Sequence, residues 1–201
     1  VQWLDDDRLL FRLGDLSLGS GELHDQLPGL YAIRADGSGV RILISRKQST
    51  AAPYPVLGWG HQLLRVPDRS AQGVHPDEVI VGRPMISGRR LAGIEPRWFN
   101  VVTGETRPMA MPEPPARALA WWFDGQGRPR LLLTVSETEN KEALPERALY
   151  WLDRPDGTWQ RILQSKEVDM PYRPLAVDDQ GTIFGIQQAG PDGFTTLTRF
   201  D

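Results

Sequence analysis

The chain has 201 residues, 40% apolar and 24% charged, a balance that suits one globular domain or a stack of repeats and excludes disorder. Its net charge of −3 includes no basic run, which argues against nucleic acid, since phosphate contacts need clustered cations. It has no cysteine, so disulfides, thiol catalysis and cysteine-ligated zinc are excluded, and its longest apolar run, Ala118 to Phe123, falls far short of the ~20 residues of a membrane helix.

In chain order, four similar units follow. The first opens on "WLDDDRLLFRL" (Trp3 to Leu13) and continues through "GLYAIRA" and "GVRILIS". The second opens on "HQLLRVPD" (His61 to Asp68), then "DEVIVGRP", "RWFNVVTG" and "ETRPMAM". The third opens on "LAWWFDGQG" (Leu119 to Gly127), then "RPRLLLTVS", "RALYWLDRPDG" and "TWQRILQS". The fourth opens on "LAVDDQG" (Leu175 to Gly181), then "TIFGIQQAG" and "FTTLTRFD".

Each unit reads as strand, Asp/Gly turn, strand, longer loop, strand, turn, strand. Leu10, Ile80, Leu132 and Phe184 are equivalent second-strand positions; Ile33, Val101, Leu152 and Arg199 are equivalent third-strand positions. Their period near fifty residues predicts the four-stranded blades of a β-propeller, roughly residues 1–50, 56–112, 117–166 and 173–201. The last blade lacks an outer strand, so a partial or open propeller is expected. The turns "ADGSG", "VTGE", "FDGQG" and "PDGT" each place glycine where a tight turn takes positive φ. "LLF" (9–11), "VIV" (79–81) and "LLL" (131–133) are apolar on both faces, as strands between adjacent blades should be. One helical pattern, Ser136 to Leu149, is interrupted by Pro145 and fits better as a loop between second and third strands.

Chemistry-bearing residues are sparse. His24, His61 and His75 lack partners at metal-ligand spacing; His61 begins an inner strand, where packing or solvent exposure is the favoured reading over lining a central channel. Asp5–Asp7 and Asp178–Asp179 lack the alternating oxygens and closing Glu of a calcium loop and recur just before a strand, where Asp makes turns. Trp121, Trp122 and Phe123, with Trp98 and Phe99, could stack a base or sugar, but they lie in strands without a basic groove and read as packing. The short cationic loop at Arg89 and Arg90 reads as solvent-facing. No residue is assigned a catalytic, cofactor-binding or metal-ligating role.

The stretch "GLYAIRADGSGVRIL" (Gly29 to Leu43), answered by "ALYWLDRPDGTWQRIL" (Ala148 to Leu163), resembles the repeat of TolB-like and prolyl oligopeptidase propellers. The order of these motifs is similar to the N-terminal propeller of bacterial prolyl oligopeptidase family serine peptidases. That resemblance implies a propeller capping an α/β-hydrolase domain, screening which peptides enter. The family's catalytic Ser, Asp and His belong to the hydrolase domain, and no G-x-S-x-G elbow is found here; Ser20 and Ser38 sit in "GSG" turns. The paired-Glu motif of the dipeptidyl-peptidase branch is likewise missing. The alternative is a TolB-like module that docks a protein or peptide on its loops. The chain opens at Val1 on strand-like residues and ends inside its fourth unit, so it is expected to be a piece of a longer protein. Its compartment, bacterial cytoplasm or periplasm, stays open. Uncovered blade edges also lead us to expect self-association.

Overall fold

The computed structural model describes residues 1–12, 29–45, 52–58, 60–71, 73–88, 90–136, 145–166, 170–189 and 194–200. Every regular element among them is a β-strand. The strands form four antiparallel meander sheets, three of four strands and the last of three, which is the blade organisation of the β-propeller class. The chain gathers into two compact units: Val1–Arg69, Gly73–Arg83 and Pro96–Pro108 make one, and Ser70–Gln72, Pro84–Glu95 and Met109–Asp201 the other.

In the first unit, β1 (Gln2–Trp3), β2 (Arg8–Phe11), β3 (Leu30–Arg34) and β4 (Arg41–Ile44) pair in chain order. Leu10 lies opposite Ala32, and both are buried, while Leu9 and Ile33, opposite each other on the other face, are half-buried. Period-two alternation thus appears as a difference in burial between faces. The second sheet starts with β5 (Gln62–Arg65) and continues through β6 (Glu78–Ser87), β7 (Arg90–Asn100) and β8 (Thr106–Pro108). Val79, Ile80 and Val81 are fully buried in succession, as expected of a strand covered on both faces. Leu4, Leu10, Leu30, Leu43 and Ile44 pack with Val66, Val79, Val81, Phe99 and Val101 into one core. Burial of each such side chain stabilises by about 1.5–3 kcal/mol before the entropy of ordering it is counted.

In the second unit, β9 (Arg117–Phe123), β10 (Pro129–Val135), β11 (Arg147–Trp151) and β12 (Gln160–Ser165) form a sheet. β13 (Tyr172–Val177), β14 (Ile183–Ala189) and β15 (Phe194–Phe200) form the three-stranded one. Leu131 and Leu149 of the former pack against Tyr172, Val177 and Ile183 of the latter. The Tyr172 ring lies directly over Gly185, where a Cβ would collide with it. The absence of a side chain at 185 is therefore what lets the aromatic cover the strand, and the Tyr172 hydroxyl donates to the Ile183 carbonyl at 3.3 Å.

The hairpin turns bear out the sequence reading in three of four motifs, although in FDGQG the positive φ falls on Gly127 and not on Gly125 beside Asp124. Gly37, Gly104 and Gly127 have φ of 83°, 79° and 75°. Gly157 does not have positive φ, contrary to expectation. Its N–H closes a turn onto the Arg154 carbonyl at 2.9 Å, so Pro155 follows the first residue and Gly157 is the fourth, the arrangement of a type I turn. Of the helical pattern at Ser136 to Leu149, residues 137–144 lie outside the described residues. Its ends are joined in strand fashion, with the Ser136 N–H donating to the Glu146 carbonyl at 2.8 Å and Arg147 beginning β11. That fits a connection between second and third strands.

Candidate functional site

The acidic runs are turn devices. The Asp5 carboxylate accepts the N–H groups of Asp7 and Arg8 through Oδ1, at 2.8 and 2.7 Å. Asp178 does the same for Gln180 and Thr182, at 3.0 and 2.8 Å. The bond from the Thr182 N–H is the chief reason its carboxyl is held below the usual aspartate range. Asp124 accepts the Arg128 N–H at 2.9 Å in the equivalent turn of the third sheet. Such a carboxylate replaces the orphan backbone partners of a tight turn, which is why Asp recurs there. The second sheet departs from this pattern, with a longer connection between β5 and β6 in which the Glu78 side chain accepts the His75 N–H at 3.3 Å.

Around the first turn the first unit builds a charge network. Arg8 bridges Asp5 and Asp77, each at 2.5 Å, and Arg69 reaches Asp5 at 2.9 Å. Beside it is an open cleft of about 560 Å³, lined on one side by Trp3, Leu4 and Asp6 and on the other by Val66, Pro67 and Asp68. Trp3 is 56% exposed, so its indole offers an open ring face. Asp5 is fully engaged by two amides and two guanidinium groups. The cleft therefore offers an aromatic face with surrounding carboxylates, a surface suited to binding. Sequence reasoning took Asp5–Asp7 as turn residues and missed Arg69 and Asp77, whose partnership joins residues more than sixty positions apart.

Of the histidines, His75 sits beside Asp77 of this network. His24 and Ser20 lie outside the described residues, as does Arg89 of the cationic loop; Arg90 is exposed at the start of β7. His61 precedes β5, and its Nδ1 lies 2.8 Å from the Gly58 carbonyl oxygen, to which it donates when protonated there. Burial lowers its pKa, the Gly58 bond opposes that, and the charges of Arg83 and Arg97 lower it further. His75 is exposed, and its Nδ1 accepts the Asp77 N–H at 3.2 Å. Among the described residues, no group of three or more His, Asp or Glu side chains is arranged to hold a metal ion.

The aromatic residues pack. Trp98, Phe99, Trp121 and Phe123 are buried. The Trp121 indole N–H donates to the Ile94 carbonyl at 2.7 Å, and its ring meets Trp159 edge-on at 5.8 Å. Trp121 and Phe123 are therefore closed to a stacking ligand, while Trp122 is half-buried against the core of Leu131 and Leu149. No family model matches the chain, and no curated protein or solved structure matches it.

One ion pair gives a pH-dependent expectation. Arg107 grips Glu78 with two bonds, Nε to Oε1 at 2.7 Å and Nη2 to Oε2 at 2.6 Å, and lies 5.0 Å over the Trp98 ring. The Arg107 bonds hold the Glu78 carboxyl below its ordinary value. The folded pKa lies below the unfolded one, so the stabilisation is fully present above the unfolded value, about 4.3, and is lost as pH falls through the lowered one. Arg107 is 48% exposed, so solvent keeps the pair to roughly 1 kcal/mol or less. Glu78→Gln is expected to be less stable than the wild type at pH 7 and to approach it at pH 3, measured as urea midpoints. A gap that stays constant with pH would show that the carboxylate's charge contributes nothing.

Proposed function

We propose that this chain is the non-catalytic, substrate-gating propeller portion of a prolyl oligopeptidase-type serine peptidase, working beside an α/β-hydrolase domain that supplies the nucleophile. The observation that carries this reading is the outer hairpin of the first sheet. β3 and β4 are joined through Asp36-Gly37-Ser38-Gly39, with Gly37 in the left-handed region and Asp36 accepting the Ser38 N–H at 2.8 Å. This is the Leu-Tyr-x-x-x-x-Asp-Gly-Ser-Gly unit on which the resemblance rests, placed in a blade-type meander. Support also comes from what the carboxylates do. Asp5, Asp124 and Asp178 are engaged in turns, so the sheets serve as a rigid frame whose polar groups bond to their own backbone. A frame of this kind selects substrates sterically, by size.

The purified chain is expected to resist labelling by a fluorophosphonate serine probe and to leave a chromogenic prolyl peptide intact. The parent protein carrying it is expected to label, and to cleave short peptides in preference to folded proteins until this segment is deleted. Labelling of the isolated chain would overturn the non-catalytic assignment. Unchanged size preference after deletion would overturn gating. The second reading, a TolB-like module that binds a protein or peptide, is favoured by the open cleft at Trp3 and Pro67. A parent sequence without a G-x-S-x-G hydrolase domain would decide for it.

A further inference from the structure

β6 and β7, ten and eleven residues long, are the longest strands described. β5 pairs with β6 only as far as Gly82, and β8 pairs with β7 only from Arg97 to Phe99. Beyond those residues the hairpin runs on to Ser87 and back from Arg90. Its far end, Pro84–Glu95, belongs to the second unit. There it leans on β9. Arg117 Nη1 donates to the Leu91 carbonyl at 3.5 Å, and the Trp121 indole holds the Ile94 carbonyl. Gly93 lies so near Ala118 that a Cβ would come within 3.2 Å of its carbonyl oxygen. One flank of the hairpin is thus seated, while its tip is open. Met85 is 41% exposed, Ile86 62% and Leu91 41%. Gly88 turns the chain with φ of 60°, and a Cβ added there would meet nothing within 4 Å.

Two features say what the tip fits. Met85 and Ile86 are consecutive strand residues, so their side chains leave opposite faces of the hairpin. Both are exposed, so apolar surface wraps the tip instead of forming one face. A protein partner covers one face of a hairpin, whereas the interfacial layer of a bilayer surrounds whatever enters it. The second feature is charge. The stretch "RPMISGRRLAGI" (83–94) carries three arginines and no acidic residue, in a chain whose net charge is −3. We propose that this tip docks on an anionic lipid surface, with Met85, Ile86 and Leu91 among the upper acyl chains and Arg90 at the level of the phosphates. Three side chains supply only a modest apolar area, so attachment is reversible and needs the anionic charge as its second signal. The strands do not cross the bilayer; only the tip enters the headgroup layer. This inference is independent of the gating role and holds whether or not that role does.

The absence of cysteine from the chain allows a single reporter to be placed. Ile86→Cys, labelled with the fluorophore NBD, is expected to brighten and shift to the blue when phosphatidylglycerol–phosphatidylcholine vesicles are added. Vesicles of phosphatidylcholine alone should leave it unchanged. Val40→Cys, an exposed position on the first sheet's hairpin labelled in the same way, should not respond to either. In co-sedimentation of the unlabelled chain with the anionic vesicles, Leu91→Ser keeps the charge and Arg90→Glu keeps the apolar tip. Each is expected to weaken binding by roughly ten-fold or more, and added salt should weaken that of the wild type. Far-UV circular dichroism checks that each variant is folded. A wild-type chain that does not sediment with anionic vesicles at low salt would overturn the proposal, as would equal responses at positions 40 and 86. A blue shift of the Ile86→Cys reporter with polyglutamate as large as that with vesicles would assign the tip to an acidic protein surface, and would overturn it too.

Discussion

Replacing Asp124 with alanine is expected to destabilise the chain by about 3–5 kcal/mol, the cost of removing one partner from a buried ion pair. Asp124 has no exposed surface. Its Oδ1 accepts the Arg128 N–H, its Oδ2 accepts Arg128 Nε at 2.7 Å, and Arg130 Nε lies 4.0 Å away. Arg130 is itself only 8% exposed, stacks 4.6 Å over the Trp151 ring and donates to the Asp153 carbonyl. Without the carboxylate, the Arg128 N–H and Nε lose their acceptor together, and the largely buried Arg130 loses its nearby counter-charge. Asp124→Asn keeps an acceptor for the amide and should cost clearly less. Urea denaturation of the two variants separates these contributions. A loss below about 1 kcal/mol for Asp124→Ala would place this pair with ordinary surface salt bridges.

Truncating Phe99 to alanine is expected to cost a similar ~3–5 kcal/mol by a different route. Phe99 is fully buried on β7 and belongs to the core formed with Leu10, Val79, Val81 and Val101. The loss combines the transfer of the ring from water with the cavity left among stiff β-branched neighbours that cannot close over it. Phe99→Leu retains most of the volume and should cost under about 1.5 kcal/mol. The check is the denaturant midpoint at unchanged slope. Equal losses for the two substitutions would mean that the site does not discriminate by volume and is not packed as described.

The blade organisation was legible because it rests on local rules. Runs such as Val79-Ile80-Val81 and Leu131-Leu132-Leu133 announced strands covered on both faces, and Asp-Gly pairs announced hairpins between them. Where the local rule was incomplete, so was the reading. Gly157 was assigned positive φ from its Asp-Gly pair, yet Pro155 sets a turn whose fourth residue needs no such angle. The cleft at Trp3 was less accessible still. It depends on Arg69 and Asp77 meeting residues 5 and 8 across two sheets, and nothing in the spacing of those charges marks them as partners. The tryptophans at 121 and 122 could be judged only by what surrounds them. The Ile94 carbonyl that takes the Trp121 N–H lies 27 residues away in sequence.

The meander order of the sheets also bears on how quickly the chain reaches its native state. In each sheet every strand pairs with the strand just before or after it. Closing such neighbours costs little loop entropy, so hairpins such as β11–β12 can zip within microseconds without waiting for distant partners. The docking of the last sheet on the third, where Tyr172 must seat against Leu131 and Leu149, is expected to be the slower event. Hydrogen exchange should divide along the same line. Amides inside hairpins should open in cooperative groups one sheet at a time, with the highest protection on second strands such as β6 and β10, whose neighbours must leave first.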